Sequence, residues 1–541
     1  SPVLWRFRFD EGESGCEVIQ LHKRPQPQTQ SLYDSAIGKA YIPEDHILRR
    51  IRAAVDFSFV PEVLADLYHD SLGRPACDQE MMVRLIFLKR HYGLSDVGVI
   101  ERAQTDHAFR FFLGIDWNHE LPHPTSLTKF RNRLGDERFE MIFTRILHQA
   151  QELGLVTGRR VLLDSSSVRA DVAVPSLRSL LERVLAKALD SLEGAEVDLD
   201  YLWAEYRALV DDPSDLSVKH LRDQLVAQWL ALAALVAEAL AGLDERTEAQ
   251  QESLELLDAA LQRADNRGKR NVRKDDILSD VDRDARWSCK RRGKSSEPGY
   301  IEQMTVDAEH GVVTNVDVVP GNTDDSETLQ SMVQGHVDKV GARPDDVVAD
   351  SKYQSGENRA DLAERRITDH VASPPPKGSK QGKFSVGDFE IEFNDESVPV
   401  AILCPALKLA FEPKWKEDKH AWVFYFTKAQ CEHCALRAQC STAKRGRSVS
   451  VDEHYLLTEA ARARQATSEG RAAQRERYRI ERQFAVQKQR GGGRTRYRGL
   501  QKNKAAGWTW AIYLTAMTIT RCVFEGLARG PDVNLYSSAP G

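Results

Sequence analysis

Two short apolar runs in this chain each end on an aspartate. Val161-Leu162-Leu163 leads into Asp164, and Val347-Val348-Ala349 leads into Asp350. An unbroken run of aliphatic residues predicts a strand buried on both faces, so each acid is expected at the C-terminal tip of a short strand. Strand patterns over 301–307 and 312–319, on either side of Glu309-His310-Gly311, predict a β-hairpin. A helix is predicted from about Ser326 to Val340, just ahead of the second apolar run. Alternation returns in Phe389-Glu390-Ile391-Glu392-Phe393 and in Trp422-Val423-Phe424-Tyr425-Phe426, which read as strands.

Other stretches carry a helical period. Residues 43–150 read as a run of helices, with Ile47, Ile51 and Val55 at spacing four and a buried face of Met81, Met82, Leu85, Ile86 and Leu88. Pro122-His123-Pro124 punctuates the chain before Thr125 or Ser126, either of which would cap a helix bearing Lys129, Arg131 and Arg133. That basic face suits a DNA groove, and a plain solvated face is the alternative. From roughly 172 to 280 the chain is helical, acidic and rich in Ala and Leu. There Leu221, Leu225, Leu232, Leu235 and Leu243 suggest a helical hairpin or coiled-coil seam. Arg477 to Phe484 is a helical pattern crowded with arginine and carries Glu481, and Trp508 to Leu527 reads as an apolar packing helix.

At 541 residues the chain exceeds what one hydrophobic core usually supports. Its 41% hydrophobic and 29% charged residues describe a globular protein. No apolar run approaches the roughly 18–20 residues of a membrane span, and the N-terminus lacks the order of a signal peptide, so a cytoplasmic location is expected. The net charge of −6 at first argues against a nucleic-acid partner, but the charge is segregated. Residues 190–260 hold 17 acidic against 4 basic residues, whereas residues 441–510 hold 17 basic against 6 acidic. The second stretch is the footprint expected for a phosphate backbone.

Two strand-tip aspartates and a helix glutamate make a set of hard oxygen donors suited to a pair of Mg²⁺ ions. Arg477, four residues before Glu481, and Lys488, seven after it, share its helix face and are candidates to meet a phosphate; i,i+4 pairing is the plainer reading. Gly491-Gly492-Gly493, ahead of Arg494, Arg496 and Arg498, would let backbone approach DNA, or simply end a helix. Of eight cysteines, Cys404, Cys431, Cys434 and Cys440 have the spacing of a structural Zn²⁺ site. An iron–sulfur cluster or free thiols would use the same residues. Cys16, Cys77, Cys289 and Cys522 read as buried small hydrophobes, and Asp282, Asp284, Asp324 and Asp325 as surface turns.

Arg477, Glu481 and Lys488 fall at the spacing of the Tyr-x2-Arg-x3-Glu-x6-Lys signature, with Gln474 where the signature has Tyr. The chain thereby resembles the IS4-like DDE transposases. Ala53 to Phe59, Gly73-Arg74-Pro75, Tyr92 to Ser95 and Pro124 to Arg131 look like the helical N-terminal domain of IS1182/IS5-type insertion-sequence transposases. Further matches are Asp164 to Ser167, Asp282 to Arg286, Val319 to Asn322, Ala349 to Tyr353 and Arg496 to Leu500, in the family's order.

The resemblance implies a mixed α/β fold with an RNase H-like catalytic core. It divides the chain into an arm (1–42), a helical DNA-binding domain (43–150), core parts (158–172 and 285–372), an acidic helical insertion (173–284), a β-rich insertion with the four cysteines (373–460), core C-terminal helices (461–528) and a tail (529–541). It implies DNA cleavage at transposon ends and strand transfer, with Asp164, Asp350 and Glu481 holding two Mg²⁺ or Mn²⁺ ions and Asp164 as the bridge. The expected DNA contacts are Arg477, Lys488, Arg494, Arg496, Arg498, Lys129, Arg131 and Arg133. The expected partners are terminal inverted repeats, target DNA and a second copy of the chain, in a bacterial, nucleoid-associated setting. The competing readings are an RNase H-fold nuclease without strand transfer and a transposase-derived DNA-binding protein.

Overall fold

The computed structural model describes residues 22–23, 40–69, 74–213, 217–266, 275–288, 296–376, 382–441, 443 and 445–528. Most of the expected arm, the tail, Cys16, Cys289 and Gly73 lie outside the described residues. The chain divides into two compact units, the first formed by Ser1–Arg52, Asp56–Lys89 and Leu94–Arg133, the second by Ala53–Val55, Arg90–Gly93 and Leu134–Gly541.

Helices dominate the first unit. In Ile47–Ala54 it is Leu48 and Ile51 that turn inward, while Ile47 is only half-buried. Helix α1 (Gln79–Tyr92) buries Met81, Met82, Leu85, Ile86 and Leu88, as its pattern predicts. Helix α2 (Pro124–Glu152) starts on Pro124, a residue preorganised for the first helical turn. Neither Thr125 nor Ser126 is therefore its cap; the Thr125 hydroxyl instead lies 2.8 Å from the His123 ring. The helical geometry breaks at Gly135.

The second unit is built around a sheet. Strand β1 (Arg160–Ala170) enters it with Val161, Leu162 and Leu163 fully buried. Four helices follow, α3 (Leu177–Ser191), α4 (Leu199–Val210), α5 (Lys219–Ala241) and α6 (Glu248–Asp265). They share a core in which Leu181, Leu185, Trp229, Val236, Leu240 and Leu257 are buried. Leu225 and Leu232 join this core, but Leu235 is 41% exposed, so this stretch is a four-helix cluster rather than a two-helix seam. Helix α5, 23 residues of which an 18-residue stretch has a mean hydropathy of 1.6, is long and apolar enough to cross a membrane by length and composition, contrary to the expectation that no run approaches that size. It packs within the cluster through Trp229, Ala233, Val236 and Leu240.

The sheet then resumes with β2 (Arg286–Ser288), β3 (Glu297–Asp307) and β4 (Val313–Pro320). Helix α7 (Leu329–Val340), β5 (Asp346–Ala349), α8 (Gly356–Glu364) and β6 (Thr368–Val371) complete the run. The strand order is β4-β3-β1-β5-β6, with β2 also on β3; β3 is antiparallel to its neighbours, and β1, β5 and β6 are mutually parallel. The hairpin and the helix before β5 thus stand as the sequence pattern predicts.

A β-rich stretch follows. Strands β7 (Glu390–Phe393), β8 (Pro399–Leu403) and β9 (Leu409–Phe411) form one antiparallel sheet, and β10 (Lys414–Lys416), β11 (Ala421–Tyr425) and β12 (Ser448–Asp452) another. They close on Phe389, Ile402, Phe424, Phe426, Val449 and Val451. Helices α9 (Tyr455–Ala466), α10 (Ser468–Arg475) and α11 (Tyr478–Gln489), the two-residue β13 (Arg494–Thr495) and helix α12 (Leu500–Phe524) end the described chain. Helix α12 is buried through its middle and rests on β4 at Gly507, where a β-carbon would lie 3.0 Å from Val318 and 3.1 Å from Val316.

Between β3 and α11 lies an isolated acid. Glu302 is buried and accepts a 2.6 Å hydrogen bond from the Gln487 amide, while the remaining side-chain oxygens of both residues find no partner. Burial, offset in part by Gln487, Arg90 and Lys488, pushes the carboxyl from 4.5 to about 7. The folded state therefore keeps a proton that the unfolded chain sheds, so this stabilisation is full below 4.5 and lost as pH rises through about 7. Glu302→Gln supplies a permanent donor of the same shape. It is expected to raise the melting temperature at pH 8 by several degrees, to change it little at pH 4.5, and to flatten the slope between, as followed by circular dichroism. In the helical insertion, Trp229→Ala is expected to cost about 3–5 kcal/mol in a denaturant titration, because it empties the centre of the cluster.

Candidate active site

The register of the two central parallel strands brings the aspartates together. Arg160, Val161, Leu162 and Leu163 pair with Asp346, Val347, Val348 and Ala349 in turn. One further step sets Asp164 beside Asp350, on strands about 4.8 Å apart. Asp350 follows the last residue of β5, as expected for a strand tip. Asp164 does not end its strand: β1 runs on to Ala170, paired with β3 and finally with β13, so Asp164 stands mid-strand where its parallel neighbour stops. At the other end, Arg160 holds Asp346 at 2.7 Å and Glu476 at 3.3 Å.

Glu481 is reached through an arginine. Arg477 sits at the N-cap of α11, its Nη2 3.2 Å from Asp164 Oδ2 and 3.9 Å from Glu481 Oε1. A single guanidinium thus links the mid-strand aspartate to the helix glutamate. Asp164 also accepts the Ser165 N–H at 2.8 Å, and Asp350 the Lys352 N–H at 2.8 Å. Asp164 is largely buried, whereas the Glu481 side chain is 58% exposed.

Beneath the acids lies a polar layer that the sequence pattern did not single out. Tyr353 is fully buried and donates its hydroxyl to Gln303 Oε1, and Gln303 donates to Asp325 Oδ1 at 2.8 Å. Burial first, then the charges of Asp325, Asp164 and Asp350, push the Tyr353 phenol well above its usual value, so it keeps its proton. Asp325 is accordingly buried in this layer and is no surface turn, while Asp324 is, holding Ser326 at 3.1 Å. Tyr353 lies within the quoted Ala349-to-Tyr353 stretch, but nothing in that stretch announces which way the phenol faces.

Gln474, at the signature's Tyr position, turns onto strand ends. Its amide donates to the carbonyl of Ala349 at 3.2 Å and to that of His370, while Arg464 reaches the Asp369 carbonyl at 2.6 Å. Lys488 is exposed on α11, one residue after the Gln487 that holds Glu302. The triple glycine serves the protein's own packing. A β-carbon on Gly492 would meet Gln487 at 2.3 Å and Trp510 at 2.9 Å, and the Gly493 carbonyl accepts the Arg169 N–H. Arg494 pairs with Asp171, whereas Arg496 and Arg498 stand exposed. Asp282 and Asp284 also differ from the surface turns expected of them. Asp282 is buried, accepting the Tyr300 hydroxyl and the Gly499 N–H, and Asp284 accepts the Leu500 N–H at 2.6 Å, so together they cap α12.

The basic residues expected on the helix face of the first unit have separate surroundings. Arg131 is drawn into an ion pair with Asp96 at 2.6 Å that Lys89 shares at 2.7 Å. Burial alone would raise Asp96, but these two partners bring it down to about 2. Arg133 lies over the Tyr68 ring, 5.5 Å from its centroid. Lys129 is exposed and, with Arg133, His119 and His123, lines a cleft of about 590 Å³.

The four cysteines, 36 residues apart at their extremes, converge. Cys404, Cys431, Cys434 and Cys440 line one cavity of about 30 Å³ beside Phe384, Phe389 and Phe426. All four are free thiols, and the Lys408 N–H lies 3.4 Å from Cys404 Sγ. Burial, then the proximity of the other three thiols, raises Cys440 despite the opposing charge of Arg447. Cys522 is buried as expected, but Cys77 is exposed. Among the described residues, no three His, Cys, Asp or Glu side chains stand in a ready-made metal-holding group, at the acids or at the cysteines.

Residues 37–133 match the family described as Transposase domain (DUF772), and residues 403–522 the family described as Transposase DDE domain. The second match spans the four cysteines and Glu481 and does not reach Asp164 or Asp350. The chain is also 26% identical over 196 residues to the uncharacterized protein ORF8 in the nfe locus of Rhizobium meliloti, covering 35% of this chain and 93% of that protein. No solved structure matches it. Together the two family matches support a DDE transposase function, and a DDE domain implies the use of a divalent cation such as Mg²⁺ or Mn²⁺.

Proposed function

We propose that this chain is an insertion-sequence transposase of the IS1182/IS5 type, which cuts DNA at the ends of its element and joins them to target DNA. The observation that carries the reading is the β1–β5 register, which makes Asp164 and Asp350 neighbours, with Arg477 tying Asp164 to Glu481. The succession of strand, hairpin, helix, strand and later glutamate-bearing helix supports an RNase H-like core, interrupted in this reading by a helical insertion and a β-rich module. In this reading the first unit binds terminal inverted repeats, two copies act on DNA together, and the enzyme works in the bacterial cytoplasm at the nucleoid.

Asp164, Asp350 and Glu481 fit divalent cations by donor chemistry, being three hard carboxylates around one sheet end. Bound there, the cations would activate the attacking oxygen and stabilise the leaving one. The chain's own groups do the rest. Arg477 screens Asp164 from Glu481 and keeps a guanidinium between the acids, where it would be available to a phosphate bound beside them. Tyr353, held protonated, lies under the acids without adding a charge. Lys488, Arg496 and Arg498 offer exposed cations to the backbone of the bound strand, and Lys129 does so from the first unit. Arg494, Arg131 and Arg133 would have to leave present partners to do the same.

A structural zinc ion at Cys404, Cys431, Cys434 and Cys440 is the second element of the proposal. What supports it is one cavity shared by four free thiols. The wild-type protein is expected to carry about one zinc per chain by elemental analysis. The double variant Cys431→Ser/Cys434→Ser should lose both the metal and several degrees of melting temperature. Iron in place of zinc, or no change in either measurement, would sink the zinc assignment.

The cleavage test uses duplex DNA bearing the inverted repeats that flank the gene. Asp164→Asn, Asp350→Asn and Glu481→Gln are each expected to lower the Mg²⁺-dependent cleavage rate on the order of 10²- to 10⁴-fold, with DNA binding retained. Pre-cleaved ends should yield joined products with wild type. Cleavage without joining would favour a nuclease, and full activity in any of the three variants would overturn the triad.

A further inference from the structure

Beside the acid pair, on the far side of Gln474, lies a basic cleft that the proposed chemistry does not use. Helices α9 and α10 and the segment after β6 enclose about 660 Å³, lined by Arg462, Gln465, Ala466, Arg471, Gln474 and Arg475 together with Ser373 and Pro375. No acid lines it among the described residues. Arg471 and Arg475 stand four apart on α10, a like-charge spacing that costs a helix roughly 0.2–0.5 kcal/mol. They are nevertheless held toward one opening. Arg471 is anchored by the Ala466 carbonyl at 2.5 Å, at the C-terminal end of α9, and Arg462 by Glu459. The floor is fixed as well, since the Ser373 N–H donates to Gln465 Oε1 at 2.8 Å. Arg475 is exposed, with no acidic partner among the described residues.

The cleft also has an address. Gln474, in its wall, donates to the carbonyl of Ala349, the residue that immediately precedes Asp350. A strand lying in the cleft therefore passes next to the acid pair. Two arginines without an acidic partner among the described residues, Arg471 and Arg475, gathered against mutual repulsion beside a third that Glu459 pairs, are complementary to a row of phosphates.

We infer that this cleft is a second DNA path, in which Arg471 and Arg475 neutralise backbone phosphates of the duplex beyond the scissile bond while Arg462 and Gln465 shape the walls. The inference rests on the transposase reading and deepens it. Two duplexes could supply those phosphates, the DNA flanking the element or the target DNA.

The test is the salt dependence of binding for Arg471→Ala/Arg475→Ala, followed by fluorescence anisotropy on the full chain. Each lost phosphate contact lowers the slope of log K against log [salt] by about 0.9, so the double variant should lose about 2. A loss seen with an inverted-repeat end carrying flanking DNA, and absent when that end is trimmed at the cleavage point, assigns the cleft to the flank. A loss confined to capture of an unrelated duplex by protein preloaded with trimmed ends assigns it to the target. Arg471→Lys/Arg475→Lys should keep the wild-type slope. Unchanged slopes in both arms overturn the proposal. Binding needs no catalysis, so failure of wild type to cleave would sink the transposase reading and leave this measurement standing on its own.

Discussion

The parallel pairing of β1 with β5 is the constraint on which the candidate site depends. Side chains alternate across a sheet, so a slip of one residue would move Asp350 along the strand and turn it to the opposite face. Two features hold the register. The apolar runs Val161-Leu162-Leu163 and Val347-Val348-Ala349 are fully buried, each Val or Leu side chain stabilising the pair by about 1.5–3 kcal/mol relative to exposure. At the start of the pair, Arg160 grips Asp346, and the Arg159 carbonyl accepts the N–H groups of both Asp345 and Asp346. An oily middle sets the depth and a charged end sets the phase. The two aspartates are carried forward from there by backbone geometry alone.

The third acid is governed differently. Glu481 hangs from a helix that buries Ile480 and Phe484, and polar contacts hold its two ends: Arg477 against Asp164 at its first turn, and Gln487 against the buried Glu302 near its last. The aspartates are thus rigid members and the glutamate an adjustable one, consistent with its greater exposure. Around them the protein spends buried polar groups freely, in the Tyr353–Gln303–Asp325 layer and the Asp282–Tyr300 cap. Buried networks of this kind are costly unless satisfied, and here they orient the backbone segments that carry the acids.

Local patterns in the sequence disclose the apolar half of this architecture well. The strands bearing Asp164 and Asp350 follow from their unbroken apolar runs, and the hairpin, the helix before β5 and the two β-rich segments from the spacing of apolar and polar residues, because burial imposes it. The length of β1 did not follow, since its second half, Ser165-Ser166-Ser167, is polar and is held by pairing with β3 rather than by an apolar face. The true roles of Asp282, Asp284 and Asp325 stayed hidden for a related reason. An aspartate that caps a distant helix carries the same local signature as one in a turn, and only the fold decides which N–H it meets. Arg131 and the triple glycine make the same point. Residues suited to DNA are equally suited to an ion pair with Asp96 or to close packing against Trp510. The cysteines were legible because Cys-x2-Cys fixes two thiols locally, yet their meeting with Cys404 depends on how β8 and β9 turn.

The way Arg464 covers the carbonyl of Asp369 bears on how copies of this protein can meet. Strand β6 closes one margin of the central sheet among the described residues, and an open margin is a template for adding foreign strands. A side chain from the following helices already occupies an acceptor along that margin. Sheet-to-sheet extension from one molecule to the next is thereby discouraged at this border. Copies held at high local concentration are so protected from stacking into ordered aggregates along it.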